Sequence, residues 1–444
     1  MMNWDKLLSI KRFGLEERAL EEIHDRTQFQ RDFDRLIFSS PFRRLQDKTQ
    51  VFALPGSVFV HNRLTHSLEV SSVGRSLGNM AAKLLQEKGY TTSPLLDEIG
   101  SVVATACLAH DLGNPPFGHS GESAMSHYFS NGRGRDLKNR VSEKEWLDLT
   151  HFEGNANALR LLTHQFNGRR KGGFSLTYTS VASVIKYPFP SGAHPKGKNK
   201  YGYFQAEKSH FDQIVAELGL TSLGNERFAR HPLVYLVEVA DDICYQFMDI
   251  EDSHKLKILT TEEVKVLFLN FLHEPHQRKR FEEVCVEVTD ANEQIAYLRA
   301  SVISLLVREC VKVFIDNQEA ILRGEFEKPL IDALPETLKN AMKECERTAY
   351  AKIYRHPSVV EVEIAGYKIL GSLLSEFVEA VLNPEDYYSG MILPFIPEQY
   401  KVSKEASVYT KVLSVLDFIS GMTDVYALDL YRKIQGTGLS LKRL

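Results

Sequence analysis

The sequence predicts a mainly α-helical globular protein with at most a small β-hairpin. Its 444 residues are enough to bury a large core in more than one lobe. The composition, 43% hydrophobic and 25% charged, excludes a collagen, a long coiled coil and a largely disordered chain. Apolar residues recur at spacings of three and four along most of the chain, which is the helical period.

The helical pattern is clearest in five segments, and two short segments favour strands. The predicted helices cover 68–77, 99–108, 233–248, 300–315 and 408–430. The strand candidates are 51–60, where Pro55-Gly56 suggests a hairpin turn, and 361–364. Proline-containing breaks at 382–384 and 393–397 divide the last part of the chain.

These features predict three parts: an N-terminal segment 1–29, a catalytic region 30–255 and a helical C-terminal region 256–444. Within the catalytic region, residues 154–206 contain no Asp or Glu. Such a stretch is either a solvated basic loop or a cationic wall that faces polyphosphate or nucleic acid. Its basic residues are Arg160, Arg169, Arg170, Lys171, Lys186, Lys196, Lys198 and Lys200.

Charge and cysteine content narrow the class of protein further. The net charge is −4, so any nucleic-acid binding must be local rather than a property of the whole surface. The five cysteines form no CxxC pair, which argues against a zinc ribbon and suits a reducing compartment. Neither a secretory h-region nor a run of about 18 apolar residues is present, so we expect a soluble, cytoplasmic protein without membrane contact.

A cluster of histidines and acids indicates a metal site. His110 and Asp111 follow the apolar segment 102–108, and an imidazole beside a carboxylate suits a divalent ion. Farther along, Asp241, Tyr245 and Asp249 are spaced four apart, so they share one face of an otherwise apolar helix. These acids either form a solvent face or, since burying them unpaired is costly, bind a cation or hydrogen-bond donors.

The motif order His66, His110-Asp111, Asp241 resembles the HD superfamily of metal-dependent phosphohydrolases. Further sequence motifs resemble those of its deoxynucleotide triphosphohydrolase branch, the dGTPase-like enzymes. They are SPFRRLQDKTQVF at 40–52, HNRLTHSLEV at 61–70, AHDLGNPPFGHSGE at 109–122, HFEGNANALRLL at 151–162, VEVADDICY at 237–245 and YRHPSVV at 354–360.

The resemblance implies the helical HD-domain fold and hydrolysis of a dNTP, dGTP included, to a deoxynucleoside and inorganic triphosphate. It also implies one divalent ion, Mn²⁺, Mg²⁺ or Fe²⁺, bound by His66, His110, Asp111 and Asp241. Asp242 is the alternative to Asp241, which we prefer because only Asp241 is four residues from Tyr245 and eight from Asp249.

The same resemblance implies roles for the other site residues. Arg63 contacts the α-phosphate, and lysines or arginines of the acid-free stretch contact the outer phosphates. His119 and Glu122, spaced i and i+3, transfer a proton, and His151 is a second candidate for the general acid. The sugar and base contacts are Gln50 and Asp249 to the 3′ hydroxyl, Tyr245 against the sugar, and Tyr350 and Tyr354 on the base.

A homo-oligomer, a tetramer or hexamer, is expected, with single-stranded nucleic acid or a regulatory nucleotide as a further partner. Two alternatives to the triphosphohydrolase stay open. One is another HD nucleotide phosphohydrolase, a monophosphatase or phosphodiesterase; the other is a non-catalytic nucleic-acid-binding or regulatory HD protein.

Overall fold

The computed structural model describes residues 1–17, 26–52, 60–195 and 197–438. Its α-helices are numbered in chain order. The first five are α1 Trp4–Leu7, α2 Gln28–Ile37, α3 Ser40–Arg44, α4 Arg63–Glu87 and α5 Ile99–Ala109. The next six are α6 Gly118–Ser130, α7 Glu143–Thr150, α8 Gly154–Thr163, α9 Tyr178–Ala182, α10 Lys208–Leu218 and α11 Leu233–Lys255. The others are α12 Thr261–Leu269, α13 Pro275–Glu287, α14 Ala291–Asp316, α15 Gln318–Arg323, α16 Glu336–Thr348, α17 Pro357–Leu382, α18 Tyr387–Ile392, α19 Val408–Ser420 and α20 Asp424–Ile434.

The mainly α-helical fold is confirmed, and the strands differ from the predicted ones. A short antiparallel hairpin pairs β1, Ser222–Gly224, with β2, Arg227–Phe228. The predicted strand 361–364 is wrong, because these residues lie inside α17. Their β-branched side chains favour a strand locally, but Pro357 starts a long helix whose apolar face is buried, and this packing outweighs the local preference. The predicted hairpin at 51–60 falls largely outside the described residues.

Helices α4 and α5 form the centre of the fold and pack unusually close together. A Cβ atom on Gly78 of α4 would lie 2.8 Å from the Cα of Gly100 in α5, and one on Gly74 would lie 2.5 Å from the Cys107 sulfur. Glycine at these positions therefore lets the two backbones approach. The approach brings the first turn of α4 and the C-terminal end of α5 side by side.

The buried apolar residues form two hydrophobic clusters, and the larger one includes this centre. The larger one joins residues of α4, α5, α11 and α14, and the smaller one joins residues of α6, α17 and α19. Because α14 packs on both α4 and α11, one core extends from the predicted catalytic region into the predicted C-terminal region. The division of the chain at residues 29 and 255 stays a prediction. Among the described helices, none has the length and apolarity needed to cross a membrane.

Candidate active site

A cavity of about 550 Å³ lies between the two hydrophobic clusters and collects most of the predicted site residues. Helices α4, α6, α11 and α17 and the segment after α5 supply its walls. The predicted residues that line it are Gln50, Arg63, His66, His110, Asp111, His119, Glu122, Asp241, Tyr245 and Tyr354. Residues from five separate sequence segments thus meet around one space.

The predicted metal ligands lie together at the bottom of this cavity. Ligand atoms of His66, His110 and Asp111 all lie within 4.8 Å of one another. The Oδ1 atom of Asp241 lies 3.1 Å from Nε2 of His66 and 3.4 Å from Nε2 of His110. Asp241, rather than Asp242, is therefore the carboxylate that lies against both imidazoles.

The hydrogen bonds of His110 leave one nitrogen directed at this cluster. Its Nδ1 atom lies 2.6 Å from the carbonyl oxygen of Cys107, so Nδ1–H donates to the last turn of α5. Its Nε2 atom is buried and has no hydrogen-bond partner. An imidazole fixed by one nitrogen, with the other directed at carboxylates, is the arrangement that metal-ligating histidines use, so the residues fit a divalent ion.

Electrostatics in the cluster are strong because the groups are buried. Burial opposes the protonated form of His110, yet the carboxylates of Asp111 and Asp241 raise its pKa to about 9. Burial likewise opposes ionisation of Asp241, and the neighbouring His110 holds the pKa of this carboxyl well below its usual range. The carboxylates therefore stay ionised and hold a proton on His110, which a bound divalent ion would displace.

Arg63 and Asn114 hold the carboxylate of Asp111 from two sides. The Nη1 atom of Arg63 lies 2.7 Å from Oδ2, and the Asn114 amide donates to Oδ1 at 2.6 Å. Arg63 also has a buried Nε atom without a hydrogen-bond partner. Asn114 is not among the site residues predicted from the sequence. Its position three residues after Asp111, in HDLGN, could have indicated this contact.

His119 and Glu122 form a hydrogen-bonded pair at the mouth of the cavity. Nδ1 of His119 lies 3.2 Å from Oε2 of Glu122, and Oε1 of Glu122 accepts a hydrogen bond from the Gly154 N–H at 2.9 Å. The side chain of His119 is 88% exposed, so a ligand in the cavity has access to it. The hydrogen bond to Glu122 raises the pKa of His119, which favours its protonated form.

Two lysines of the acid-free stretch, Lys186 and Lys200, line the cavity. Nζ of Lys186 lies 3.2 Å from Glu238, and Nζ of Lys200 lies 2.7 Å from Glu153 and 4.0 Å from Glu122. Burial disfavours the charged form of Lys200, but these two glutamates raise its pKa. The fold thus selects two cations that the sequence alone could not single out.

The rest of the acid-free stretch does not form one cationic wall. Arg160 is buried and paired with Asp417 at 2.7 Å and with Glu207 at 2.5 Å. Residues 169–171 are exposed and lie outside the cavity, and Lys196 is not among the described residues. The stretch therefore divides into a structural arginine, surface residues and the two cavity lysines.

A pair of stacked tyrosines closes one side of the cavity. The rings of Tyr245 and Tyr354 lie 5.9 Å apart with an interplanar angle of 20°. The Tyr354 hydroxyl donates to Asp249 at 2.8 Å, and Asp249 is buried behind it rather than lining the cavity. Gln50, in contrast, lines the cavity, and its buried Oε1 atom has no hydrogen-bond partner.

Two other predicted residues lie outside this cavity. His151 directly follows α7 as its C-cap residue, and its Nδ1 atom lies 3.1 Å from the carbonyl oxygen of Leu147. Tyr350 lies in a neighbouring cavity of about 830 Å³ on the far side of the tyrosine pair, where its ring stacks beneath Arg355. Asp242 lines both cavities, and burial raises its pKa to about 8.

Comparison with known proteins identifies the family. The HD domain matches residues 63–170, and the phosphohydrolase-associated domain matches residues 333–433. A deoxyguanosinetriphosphate triphosphohydrolase-like protein of Synechocystis sp. is 37% identical, over 99% of this chain and 100% of its own length. The chain belongs to the deoxyguanosinetriphosphate triphosphohydrolase-like family. The resemblance noted from the sequence motifs is therefore confirmed.

Other members of this family match over nearly their full length. A deoxyguanosinetriphosphate triphosphohydrolase-like protein of Pseudomonas aeruginosa is 37% identical, over 98% of this chain and 99% of its own. A deoxyguanosinetriphosphate triphosphohydrolase of Yersinia enterocolitica is 30% identical, with the same shares covered. The HD domain match includes Arg63, His66, His110, Asp111 and His119, so three of the four predicted metal ligands lie within it.

Proposed function

We propose that this protein is a metal-dependent dNTP triphosphohydrolase that accepts dGTP and releases inorganic triphosphate. One observation carries the proposal: a single cavity joins a cluster of imidazoles and carboxylates, an exposed histidine–glutamate pair, two lysines and an aromatic wall. Each part suits one portion of a dNTP: the α-phosphate, the leaving oxygen, the outer phosphates and the sugar. The names of the family relatives point to the same substrate class.

His66, His110, Asp111 and Asp241 would hold the divalent ion, and the unpartnered Nε2 of His110 is the strongest sign that they do. When bound, such an ion polarises a phosphate oxygen and lowers the pKa of a coordinated water. The mixed nitrogen and oxygen donors suit Mn²⁺, Mg²⁺ or Fe²⁺. Asn114 and Arg63 keep the Asp111 carboxylate in place for this role.

The cations of the cavity would bind the polyphosphate. Arg63 lies against the metal cluster, so its guanidinium reaches the α-phosphate. Lys186 and Lys200 also line the cavity and would neutralise the outer phosphates. The glutamates already hold these ammonium groups in position. Little free energy is therefore spent on reorganising them when the polyphosphate binds.

The His119–Glu122 pair would complete the reaction. Water oxygen bonds to the α-phosphorus and loses a proton to solvent, while the bond from phosphorus to the 5′ oxygen breaks. His119 donates a proton to this 5′ oxygen and then takes up another from solvent. Glu122 favours the protonated imidazole and orients it, as a general acid requires. We prefer His119 to His151 in this role because only His119 lines the cavity.

The tyrosine wall would select a deoxyribose. Tyr245 presents its ring to the cavity, and its stacking on Tyr354 prevents it from moving aside. A 2′ hydroxyl on a sugar packed against this ring would meet carbon atoms and lose its hydrogen bonds to water. The free Oε1 of Gln50 is available to accept a hydrogen bond from the 3′ hydroxyl.

A product assay tests the proposal. The purified protein is incubated with each of the four dNTPs and Mn²⁺, and triphosphate, pyrophosphate and orthophosphate are separated by anion exchange. We expect triphosphate and an equal amount of deoxynucleoside, and no product from GTP. Release of only pyrophosphate or orthophosphate, or activity on monophosphates alone, would instead support another HD phosphohydrolase.

Two variants test whether activity depends on the metal cluster in particular or would be lost on replacing any histidine. His110→Ala removes a ligand and is expected to lower kcat by at least a hundredfold, as is treatment with EDTA. His127→Ala is the matched control, since His127 lies on α6, contacts the ring of Tyr367 and does not line the cavity. Full activity of His110→Ala would refute the metal assignment.

The predicted homo-oligomer and a single-stranded nucleic-acid or regulatory-nucleotide partner are parts of the same proposal. Light scattering coupled to size exclusion, with and without a dNTP mixture or a single-stranded oligonucleotide, measures both. A monomer that binds neither would refute these two points and leave the hydrolysis untouched.

A further inference from the structure

Two buried side chains connect the end of the chain to the walls of the candidate active site. They are Lys48, which is 2% exposed, and Asp424, which is 6% exposed and starts α20. Neither lines the cavity, and neither was selected from the sequence. We call these two residues, with the groups they bind, the C-terminal latch.

Asp424 accepts hydrogen bonds from two different active-site segments. The Thr49 N–H donates to Oδ2 at 2.8 Å, and the Phe117 N–H donates to Oδ1 at 3.0 Å. Thr49 precedes Gln50 in the chain, while Phe117 is the residue before α6, which carries His119 and Glu122. One carboxylate thus fixes the distance between the side of the cavity that carries Gln50 and the side that carries the His119–Glu122 pair.

Lys48 makes a second connection, close to the first. Its Nζ atom donates to the carbonyl oxygen of Asn114 at 2.6 Å and to that of Ser420 at 2.8 Å. Asn114 in turn donates its amide to Asp111, one of the proposed metal ligands. The end of α19 is therefore joined through Lys48 and Asn114 to the metal cluster.

The backbone of Phe117 has an unfavourable conformation, so the hydrogen bond from its N–H to Asp424 matters more than it would at an ordinary loop residue. Its φ angle is 61°, in the left-handed region that non-glycine residues rarely occupy. Its ring packs on Gly366 of α17, where a Cβ atom would lie 2.4 Å from the ring. The strained backbone is held by Asp424 on one side and by α17 on the other, and both belong to the segment that matches the phosphohydrolase-associated domain.

We propose that Asp424 and Lys48 are positioning residues through which the C-terminal region holds the catalytic groups of the HD domain in place. The proposal rests on the proposed function for its kinetic consequence. It also has a consequence for metal binding, which needs no substrate. Misplacing catalytic groups by about 1 Å can cost a hundredfold in rate, and a lost partner behind a metal ligand lowers metal affinity about 10- to 100-fold.

The test compares Asp424→Asn with Asp417→Asn. Both positions carry a buried carboxylate with two bonded donor groups, and they lie seven residues apart. The Asp417 carboxylate bonds to Arg160, which does not line the cavity, so its variant reports the effect of damaging a buried carboxylate in this region. An asparagine at 424 can accept from one N–H but presents its own amide hydrogens to the other.

For Asp424→Asn we expect kcat with dGTP to fall about 10- to 100-fold and the dissociation constant for Mn²⁺, measured by calorimetry without nucleotide, to rise about tenfold. For Asp417→Asn we expect both values to stay within twofold of wild type at a temperature well below its Tm. Lys48→Met provides a second variant that removes the other connection and should follow Asp424→Asn in Mn²⁺ affinity.

Three results would overturn the latch. These are wild-type kcat and Mn²⁺ affinity in Asp424→Asn, an equal loss in Asp417→Asn, or unchanged Mn²⁺ affinity in Lys48→Met. A wild-type protein that hydrolyses no dNTP would refute the proposed function only, because the Mn²⁺ titrations of the variants still decide whether the latch positions the metal ligands.

Discussion

Arg160 offers a prediction that separates structural from ligand-binding cations in the acid-free stretch. In the fold it joins α8 to α19 and to Glu207, which precedes α10. All three side chains are buried, with Glu207 fully so. The perturbation is Arg160→Met, which keeps most of the side-chain volume and removes the charge.

The expected cost follows from these contacts. The variant leaves two buried carboxylates without their cation, and losing one partner of a buried ion pair costs about 3–5 kcal/mol. Burial already raises the pKa of Glu207 to about 7 in the presence of Arg160, so its carboxylate depends on that cation. Unfolding entropy of about 2.1 cal/mol/K per residue gives about 0.9 kcal/mol/K for 444 residues, so Tm should fall by about 3–5 °C.

Differential scanning calorimetry at about pH 7.5 measures this change, and steady-state kinetics with dGTP accompany it. The KM should stay within twofold of wild type, because Arg160 does not line the cavity. The triple variant Arg160→Met, Glu207→Met, Asp417→Leu replaces the whole buried network with apolar side chains and should recover most of the lost Tm. An unchanged Tm together with a tenfold rise in KM would refute the structural role and would indicate instead that Arg160 contacts the substrate.

The other predictions concern the cavity and its support. Lys200→Met removes a charged contact to the outer phosphates worth about 1.5–3 kcal/mol, so KM for dGTP should rise about 10- to 100-fold at a temperature well below the Tm of the variant; an unchanged KM would exclude this contact. His119→Asn should lower kcat by about 10²–10⁴ with a small effect on KM, which single-turnover kinetics would check. Because Glu122 raises the pKa of His119, Glu122→Gln should move the alkaline limb of the pH–kcat profile to lower pH, and a limb that moves to higher pH would contradict a proton-donating His119. Burial lowers the pKa of Lys48 from 10.5 to about 7, so the folded protein binds fewer protons than the unfolded chain between these values and Lys48 adds stability as the pH rises through that range. The Tm of wild type minus that of Lys48→Met should therefore increase from about pH 7 to about pH 9, and a constant difference would contradict a buried, neutral lysine.

The candidate site shows how far local sequence can predict. His66, His110, Asp111 and Asp241 were predicted as one cluster because their residue types and order resemble a family motif, and the helices bring them together. The family resemblance implies that Asp249 contacts the 3′ hydroxyl of the sugar, and its spacing predicts that it shares a helix face with Asp241. In the fold Tyr354 comes between Asp249 and the cavity, and helical periodicity cannot foresee a side chain that arrives from another element.

Hydrophobic period and motif order are local properties of the chain, so the helical fold, the family and the types of chemical group in the site could be predicted from the amino-acid sequence. Which cations line the cavity, in contrast, depends on the packing of distant segments. Arg160 and Lys200 belong to the same acid-free stretch, yet one is buried against Asp417 and the other lines the cavity beside Glu122. The latch is a tertiary feature as well, since Lys48 and Asp424 acquire their role only when residues more than 370 positions apart pack together. The charge of a residue shows which partners its side chain can bind, and the packing of the fold decides which of these partners lie next to it.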